Sequence, residues 1–133
     1  MQRYTVNTQK RRELRDVTAL VESAITASDI QTGIAVVYSP HTTAALTVNE
    51  NWDLHVVDDF LLYAEQAVPR GMVGFQHAEG NSDSHILVSL IGPSVALIVD
   101  DGRLALGQWQ GVFLAEFDGP RTRELWVMIS PGT

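Results

Sequence analysis

Three of the four histidines fall in two short polar strings that interrupt apolar sequence, Ser39-Pro40-His41-Thr42-Thr43 and His77-Ala78-Glu79-Gly80-Asn81-Ser82-Asp83-Ser84-His85. Neutral imidazole is the commonest protein metal ligand and the usual proton shuttle near neutral pH. Gly80 and Asn81 mark a turn that would bring His77 and His85 together, and His41 follows Pro40 at the end of an apolar run, where functional groups are displayed. The pattern points to imidazoles converging on one metal ion or one substrate. The plainer alternative is loop histidines bonded to nearby backbone. Because the chain has no cysteine, thiolate nucleophiles, disulfides, iron–sulfur clusters and Cys-type zinc sites are excluded. Any metal must be held by His, carboxylate, carbonyl or water.

Two further groups have chemical potential. Asn49-Glu50-Asn51 breaks the run Leu46-Thr47-Val48 just before an amphipathic stretch. It reads equally as helix capping, with Asn51 or Asn49 as N-cap and Glu50 or Asp53 near the positive helix end, or as Glu50 serving as a general base or supporting a metal ligand. Asp118-Gly119-Pro120-Arg121-Thr122-Arg123 sets two arginines two residues apart. They share one face if a strand has begun, and the guanidinium fork suits phosphate or carboxylate. The competing reading is an ion pair from Arg121 to Asp118 that stiffens the turn. His55 shares a polar helical stripe with Asp58 and Asp59 and is set aside as a surface ion-pair partner. The basic run Lys10-Arg11-Arg12 reads as a solvated turn or strand edge, and Trp52, Trp109 and Trp126 as core.

The elements that must position these groups follow from apolar spacing. Val17, Leu20, Val21, Ala24 and Ile25 recur at helical intervals, with Asp16 or Thr18 as cap and Gly33 beyond the end. A second helix is expected from about Asp53 to Ala67, stopped by Pro69. Strands are expected over Arg3–Thr8, Ile34–Tyr38 (buried on both faces, being continuous and β-branched), Ala44–Val48, Ile86–Ile91, Val95–Val99, Val112–Phe117 and Leu125–Ile129. Gly92-Pro93-Ser94, Asp101-Gly102 and Asp118-Gly119-Pro120 supply turn chemistry for antiparallel hairpins. The fold class is therefore α+β, a largely antiparallel β-sandwich with two covering helices, as a single domain over residues 1–133. The open edges of such a sheet need covering, which a closed homo-oligomer would provide, with sites at subunit seams.

Composition narrows the partners. Nine Lys and Arg against sixteen Asp and Glu give a formal charge of −7, whereas nucleic-acid binding draws its affinity from a basic face; nucleic acid is not the expected partner. No apolar run approaches the roughly 18 residues that span a bilayer, and Met1-Gln2-Arg3-Tyr4 does not open a signal peptide. A cytoplasmic protein with no membrane partner is expected.

Four strings then acquire a shared meaning. The segment from His41 to Asn51, the segment from His77 to His85, Gly107-Gln108-Trp109-Gln110-Gly111, and Glu116-Phe117-Asp118-Gly119-Pro120-Arg121 resemble, in order and spacing, the YjbQ-type family, usually labelled secondary thiamine-phosphate synthase. The resemblance implies a compact α+β sandwich assembling as a homotrimer, with motif residues near subunit interfaces and His41, His77 and His85 as metal ligands. The activity attached to the family joins a pyrimidine diphosphate to a thiazole phosphate and releases diphosphate. Gln108, Leu87 and the pair Leu54-His55 depart from the family pattern; at Leu87 a lysine is common, so one phosphate contact is missing.

Two functional readings result. In the first, the protein is a metal-assisted transferase on small phosphorylated metabolites, with a divalent ion, zinc foremost, on the three histidines. Arg121 holds a phosphate, Glu50 handles a proton or orients a histidine, and Asn49, Asn81 and Gln110 position substrate. In the second, it is a non-catalytic homotrimer that binds a small metabolite or a metal. Whether Glu50 and Arg121 sit beside the histidines separates the two.

Overall fold

The computed structural model describes residues 1–132 and contains eight strands and three helices among them: β1 (Gln2–Asn7), β2 (Glu13–Asp16), α1 (Thr18–Ser28), β3 (Gly33–Tyr38), β4 (Ala44–Glu50), α2 (Leu54–Ala67), α3 (Ser82–Ile91), β5 (Ser94–Asp100), β6 (Arg103–Leu104), β7 (Gln110–Glu116) and β8 (Thr122–Pro131). All strand pairs are antiparallel. They form a five-stranded sheet in the order β1-β8-β3-β5-β6 and a three-stranded sheet in the order β2-β7-β4. The fold is α+β.

Alternation along the strands decides what is buried. Ala35 and Val37 of β3, Val99 of β5, and Leu125 and Val127 of β8 point inward. They meet Ala44 and Leu46 of β4, Val112 and Leu114 of β7, and Val21, Ala24 and Ile25 of α1. The three-stranded sheet and α1 together thus cover one face of the larger sheet. The far face of the small sheet presents Ala45, Ala115 and, just past β7, Phe117, which pack against Ala64 and Val68 at the end of α2 and Leu87 and Val88 of α3.

Several expectations change. The segment Ile86–Ile91, read as a strand from its β-branched residues, is the second half of α3. Its burial follows an i, i+3, i+4 pattern through Ser84, Leu87 and Val88, so an amphipathic helical stripe outweighs local β propensity. Gly92, at φ 109°, ends it. Strand β3 is buried on only one face: Ile34, Val36 and Tyr38 are exposed, because nothing among the described residues covers the outer side of the large sheet. Of the three expected hairpins only Asp101-Gly102 makes one, joining β5 to β6 with φ positive at both residues. Gly92-Pro93 leads from α3 into β5, and Asp118-Gly119-Pro120 carries the chain from the small sheet to the large one. A third helix joins the expected two, and β2, too polar to read as a strand, pairs with β7. Trp52 (76% exposed) and Trp109 (46%) are not core but form an edge-to-face pair on the surface, with ring centres 5.5 Å apart.

Candidate functional site

The site assembles where three separate segments meet at one end of the sandwich. In the first, Ser39 Oγ donates to Ala44 O (2.7 Å) and Ser39 N to Pro93 O (2.8 Å). These bonds close the loop after β3 and hold His41 at its tip. His41 Nε2 accepts a hydrogen bond from the Glu124 N–H at 2.9 Å, so the imidazole is neutral and carries its proton on Nδ1. Burial and the nearby Arg123 charge hold its pKa below the ordinary value, outweighing the opposite pull of Glu116 and Glu124.

The second segment is the start of α3. Asn81, the residue before the helix, is almost completely buried; its Nδ2 donates to Asp118 Oδ2 at 2.7 Å and reaches Glu79 Oε2 at 3.4 Å. His85 lies one turn into the helix and packs edge-to-face with His77, ring centres 5.2 Å apart. His77 rides on the 69–80 loop, with Nε2 3.6 Å from Glu79 Oε2.

The third segment is the crossover between β7 and β8. Arg121 donates through Nε to Asp118 O (2.7 Å) and through Nη2 to Asp118 Oδ2 (2.9 Å). Burial pushes the Asp118 carboxyl up, but Asn81 and Arg121 donate to it and keep it below its ordinary value. Beneath them lies a buried ion pair. Arg123 donates from Nε to Glu116 Oε1 (2.8 Å), from Nη2 to Glu116 Oε2 and from Nη2 to Thr43 Oγ1 (2.8 Å). Thr8 Oγ1 (2.8 Å) and the Asp118 N–H (3.0 Å) complete the shell of Glu116. Burial pushes this carboxyl up as well, and Arg123, Asp118 N–H and Thr8 overcome it.

These segments enclose a cavity of about 300 Å³ lined by His41, His85, Asn81, Arg121, Arg123, Thr43 and the acids Glu79 and Asp118. His85 also faces the neighbouring hollow floored by Tyr38 and Pro93, and the one containing His77. The structure therefore brings together His41, His85, Asn81 and Arg121, with His77 against His85. Arg121 does make the ion pair with Asp118 that sequence offered as the alternative.

Glu50, Asn49 and Gln110 are elsewhere. Glu50 pairs with Gln110 and Ala44 with Glu116 along the same β4–β7 ladder. Six residues of strand at roughly 3.3 Å each put Glu50 about 20 Å from the histidine end of its own chain. There Glu50 Oε2 accepts from the Asp53 N–H (3.2 Å), Asn49 Oδ1 from the Glu50 N–H (2.7 Å) and Gln110 Oε1 from the Gly107 N–H (2.8 Å). The cap of α2 is Asp53, whose Oδ1 accepts from His55 N at 2.9 Å. His55 is exposed, 3.5 Å from Asp53 rather than paired with Asp58 or Asp59.

A three-histidine metal centre does not fit one chain. Among the described residues no three His, Cys, Asp or Glu side chains are placed to hold a metal ion, and His41 Nε2 already accepts from Glu124. Sequence reading gave no site role to Thr43, Glu79 or Asp83, and took Asp118 only as an ion-pair partner of Arg121. It also misplaced Arg11 and Arg12, which are not solvated: both reach the fully buried Asp83 carboxylate. The clue was an acid, Asp83, inside a helix whose neighbouring stripe is apolar.

The α+β sandwich defines the class, and the comparisons agree with that fold; the histidine, asparagine and arginine cavity lies at its crossover. The description "UPF0047 protein YjbQ-like" matches residues 2–132. The chain belongs to the YjbQ/UPF0047 family. It is 50% identical over 127 residues to UPF0047 protein MJ1081 of Methanocaldococcus jannaschii, covering 96% of this chain and 91% of that one. It is 43% identical to YugU of Bacillus subtilis, covering 92% of each. Among solved structures, the YjbQ/UPF0047 protein of Clostridium acetobutylicum, an ortholog of YugU, superposes with a TM-score of 0.95 at 42% identity, covering 98% of this chain and all of that one. Among the described residues no helix is long and apolar enough to cross a membrane.

Proposed function

We propose that this protein acts on small phosphorylated molecules, holding a phosphate in the cavity between His41, Asn81, His85 and Arg121. The observation that supports it is convergence: two imidazoles, an amide and a guanidinium from three distant segments line one hollow of about 300 Å³. Arg121 spends Nε and Nη2 on Asp118, which leaves Nη1 for a phosphate oxygen. Among the described residues no hydrogen bond fixes the tautomer of the His85 ring, and this is the group that gives a proton to the oxygen of the leaving group. In the transferase reading, a ring nitrogen of the thiazole phosphate bonds to the carbon bearing the diphosphate. The carbon–oxygen bond breaks and diphosphate leaves with the electron pair. A cytoplasmic setting belongs to this reading.

The distance of Glu50 from the cavity favours a second element of the proposal, a homotrimer in which one subunit's Glu50 end meets its neighbour's histidine end. Ile34, Val36 and Tyr38 of β3 and Met128 of β8 form an exposed apolar face that runs up to Tyr38 beside the His41 hollow. Head-to-tail contacts of this kind close into rings. Should the Glu50 end stay remote in the assembly, a binding protein without turnover is the better account.

Titration calorimetry with inorganic phosphate and with diphosphate tests the cavity, wild type beside His85→Ala. Binding lost in the variant is expected; equal binding by both refutes the assignment. Diphosphate release from the paired substrates decides between transfer and binding. Metal content of the same two proteins tests zinc: stoichiometric metal that vanishes in His85→Ala would show that subunits together build the centre one chain lacks. Mixing His85→Ala with Glu50→Gln subunits tests the shared site, since only a mixed ring contains a site with both groups intact. Recovered release supports sharing, and none argues against it.

A further inference from the structure

His77 sits on the long connection between α2 and α3, a segment with three glycines and no strand or helix of its own. Val73 in it is fully exposed. Something must set where such a loop stands, and the candidates lie at its base. Arg12 Nη2 donates at once to Asp83 Oδ2 (2.6 Å) and to Val68 O (3.3 Å). Val68 is the residue at which α2 ends, and Asp83 is the second residue of α3. One nitrogen therefore bridges the two ends of the 69–80 loop.

The bridge is itself anchored. Arg11 donates from Nη1 to Asp83 Oδ2 and from Nη2 to Asp83 Oδ1, both at 3.2 Å. The Gly119 N–H donates to Arg11 O at 3.0 Å. A Cβ at Gly119 would stand 2.3 Å from Lys10 O, so the turn after β1 lies directly against the crossover that carries Asp118 and Arg121. Ser84 Oγ donates to Phe117 O at 2.6 Å and ties the same helical turn to the start of the crossover after β7. Asp83 is completely buried, whereas the Arg12 side chain is 12% exposed and that of Arg11 25%. Two cations on one buried carboxylate exceed what charge balance requires. The geometry uses both, one as a two-point fork and one as a bridge.

We propose that Arg12, supported by Arg11 through Asp83, is a positioning residue: it staples the base of the 69–80 loop and thereby sets His77 against His85. Neither arginine is assigned contact with a ligand. Asp83 follows Asn81 by two residues and precedes His85 by two, so the staple also fixes the turn that presents both to the cavity. This last part rests on the phosphate reading; the histidine geometry does not.

Arg12→Met is the informative variant, because it keeps an apolar stem while Asp83 retains both bonds from Arg11. The readout is the contact between the two rings, followed as the cross-relaxation between the His77 and His85 ring protons in labelled protein without ligand. Expected is loss of that cross-peak and movement of both rings' signals. His41, bonded to Glu124, and His55, on α2, should keep theirs and serve as internal controls. An intact His77–His85 cross-peak, even with lowered thermal stability, would reduce Arg12 to a purely structural role and overturn the inference. Should Arg12→Met fail to fold, Arg12→Gln, which keeps one donor but cannot span both ends, is read the same way. Phosphate titration adds a second readout, with the dissociation constant rising about tenfold, the scale for losing a support behind a functional side chain. A wild type that binds no phosphate would sink the cavity reading and leave the cross-peak to decide this one.

Discussion

Replacing Arg123 by Met removes the cation bonded to Glu116, a carboxylate with no solvent exposure. The variant keeps two of the bonds to that carboxylate, from Thr8 Oγ1 and the Asp118 N–H, and loses those from Arg123 Nε and Nη2. Breaking a buried pair from one side costs roughly 3–5 kcal/mol, because an uncompensated charge remains. The surviving donors argue for the lower half of that range. In urea, a slope of about 2 kcal/mol per molar converts 3–4 kcal/mol into a midpoint lowered by about 1.5–2 M. Protein concentration must match in all runs, since assembly shifts apparent stability. The pH dependence is the sharper check. In wild type the folded Glu116 pKa lies below its ordinary value, so its contribution is present above the ordinary carboxylate range and lost as pH falls through the folded pKa. In Arg123→Met, burial acts without the guanidinium and the folded pKa rises above the unfolded one. The penalty is then greatest at neutral pH and shrinks as acid neutralises the carboxyl. The gap between the two proteins should therefore narrow from pH 7.5 to pH 5. A loss under about 1 kcal/mol, or a gap that does not change with pH, would refute the reasoning that Glu116 is a charged group dependent on Arg123.

Three other outcomes are expected. His41 has a folded pKa below its ordinary value, so the unfolded chain takes up a proton first as pH falls through about 6.5; stability should decline there, and a His41→Gln variant showing the same slope between pH 7 and pH 5 in urea titrations would contradict this. In the proposed homotrimer, Val36→Lys puts a charge in the middle of the exposed apolar face of β3 and should shift the native mass toward that of a single chain while the circular dichroism spectrum stays unchanged; an unchanged native mass would remove this face from the proposed interface. Asp53→Ala removes the acceptor for His55 N at the start of α2 and should cost about 1 kcal/mol, read as a small fall in urea midpoint; no change would mean that Glu50 or water takes over the cap.

Sequence alone determined a good deal here. Periodicity alone located α1, α2 and most strands, because a helix that buries Val21, Ala24 and Ile25 or a strand that buries Ala35 and Val37 must repeat its apolar residues at the backbone's own period. Residue chemistry alone excluded cysteine-based sites and singled out His41, His77, His85 and Arg121, which the structure gathers at one end with Asn81, a residue first read as a turn former. The sequence could not show that Ile86–Ile91 is helical, since Ile86, Val88 and Ile91 suit either state. That choice fell to packing against Ala45 and Phe117. Nor could it pair Arg12 with Asp83 across 71 residues, or Arg123 with Glu116 across two sheets. Such pairs exist only once the crossover and the turn after β1 meet. Glu50 shows the same limit in reverse. It stands nine residues after His41 in the chain, yet β4 runs straight between them and holds the two at opposite ends. Local spacing fixes which residues share a face; the direction of each strand and the meeting of distant turns decide which of them share a site.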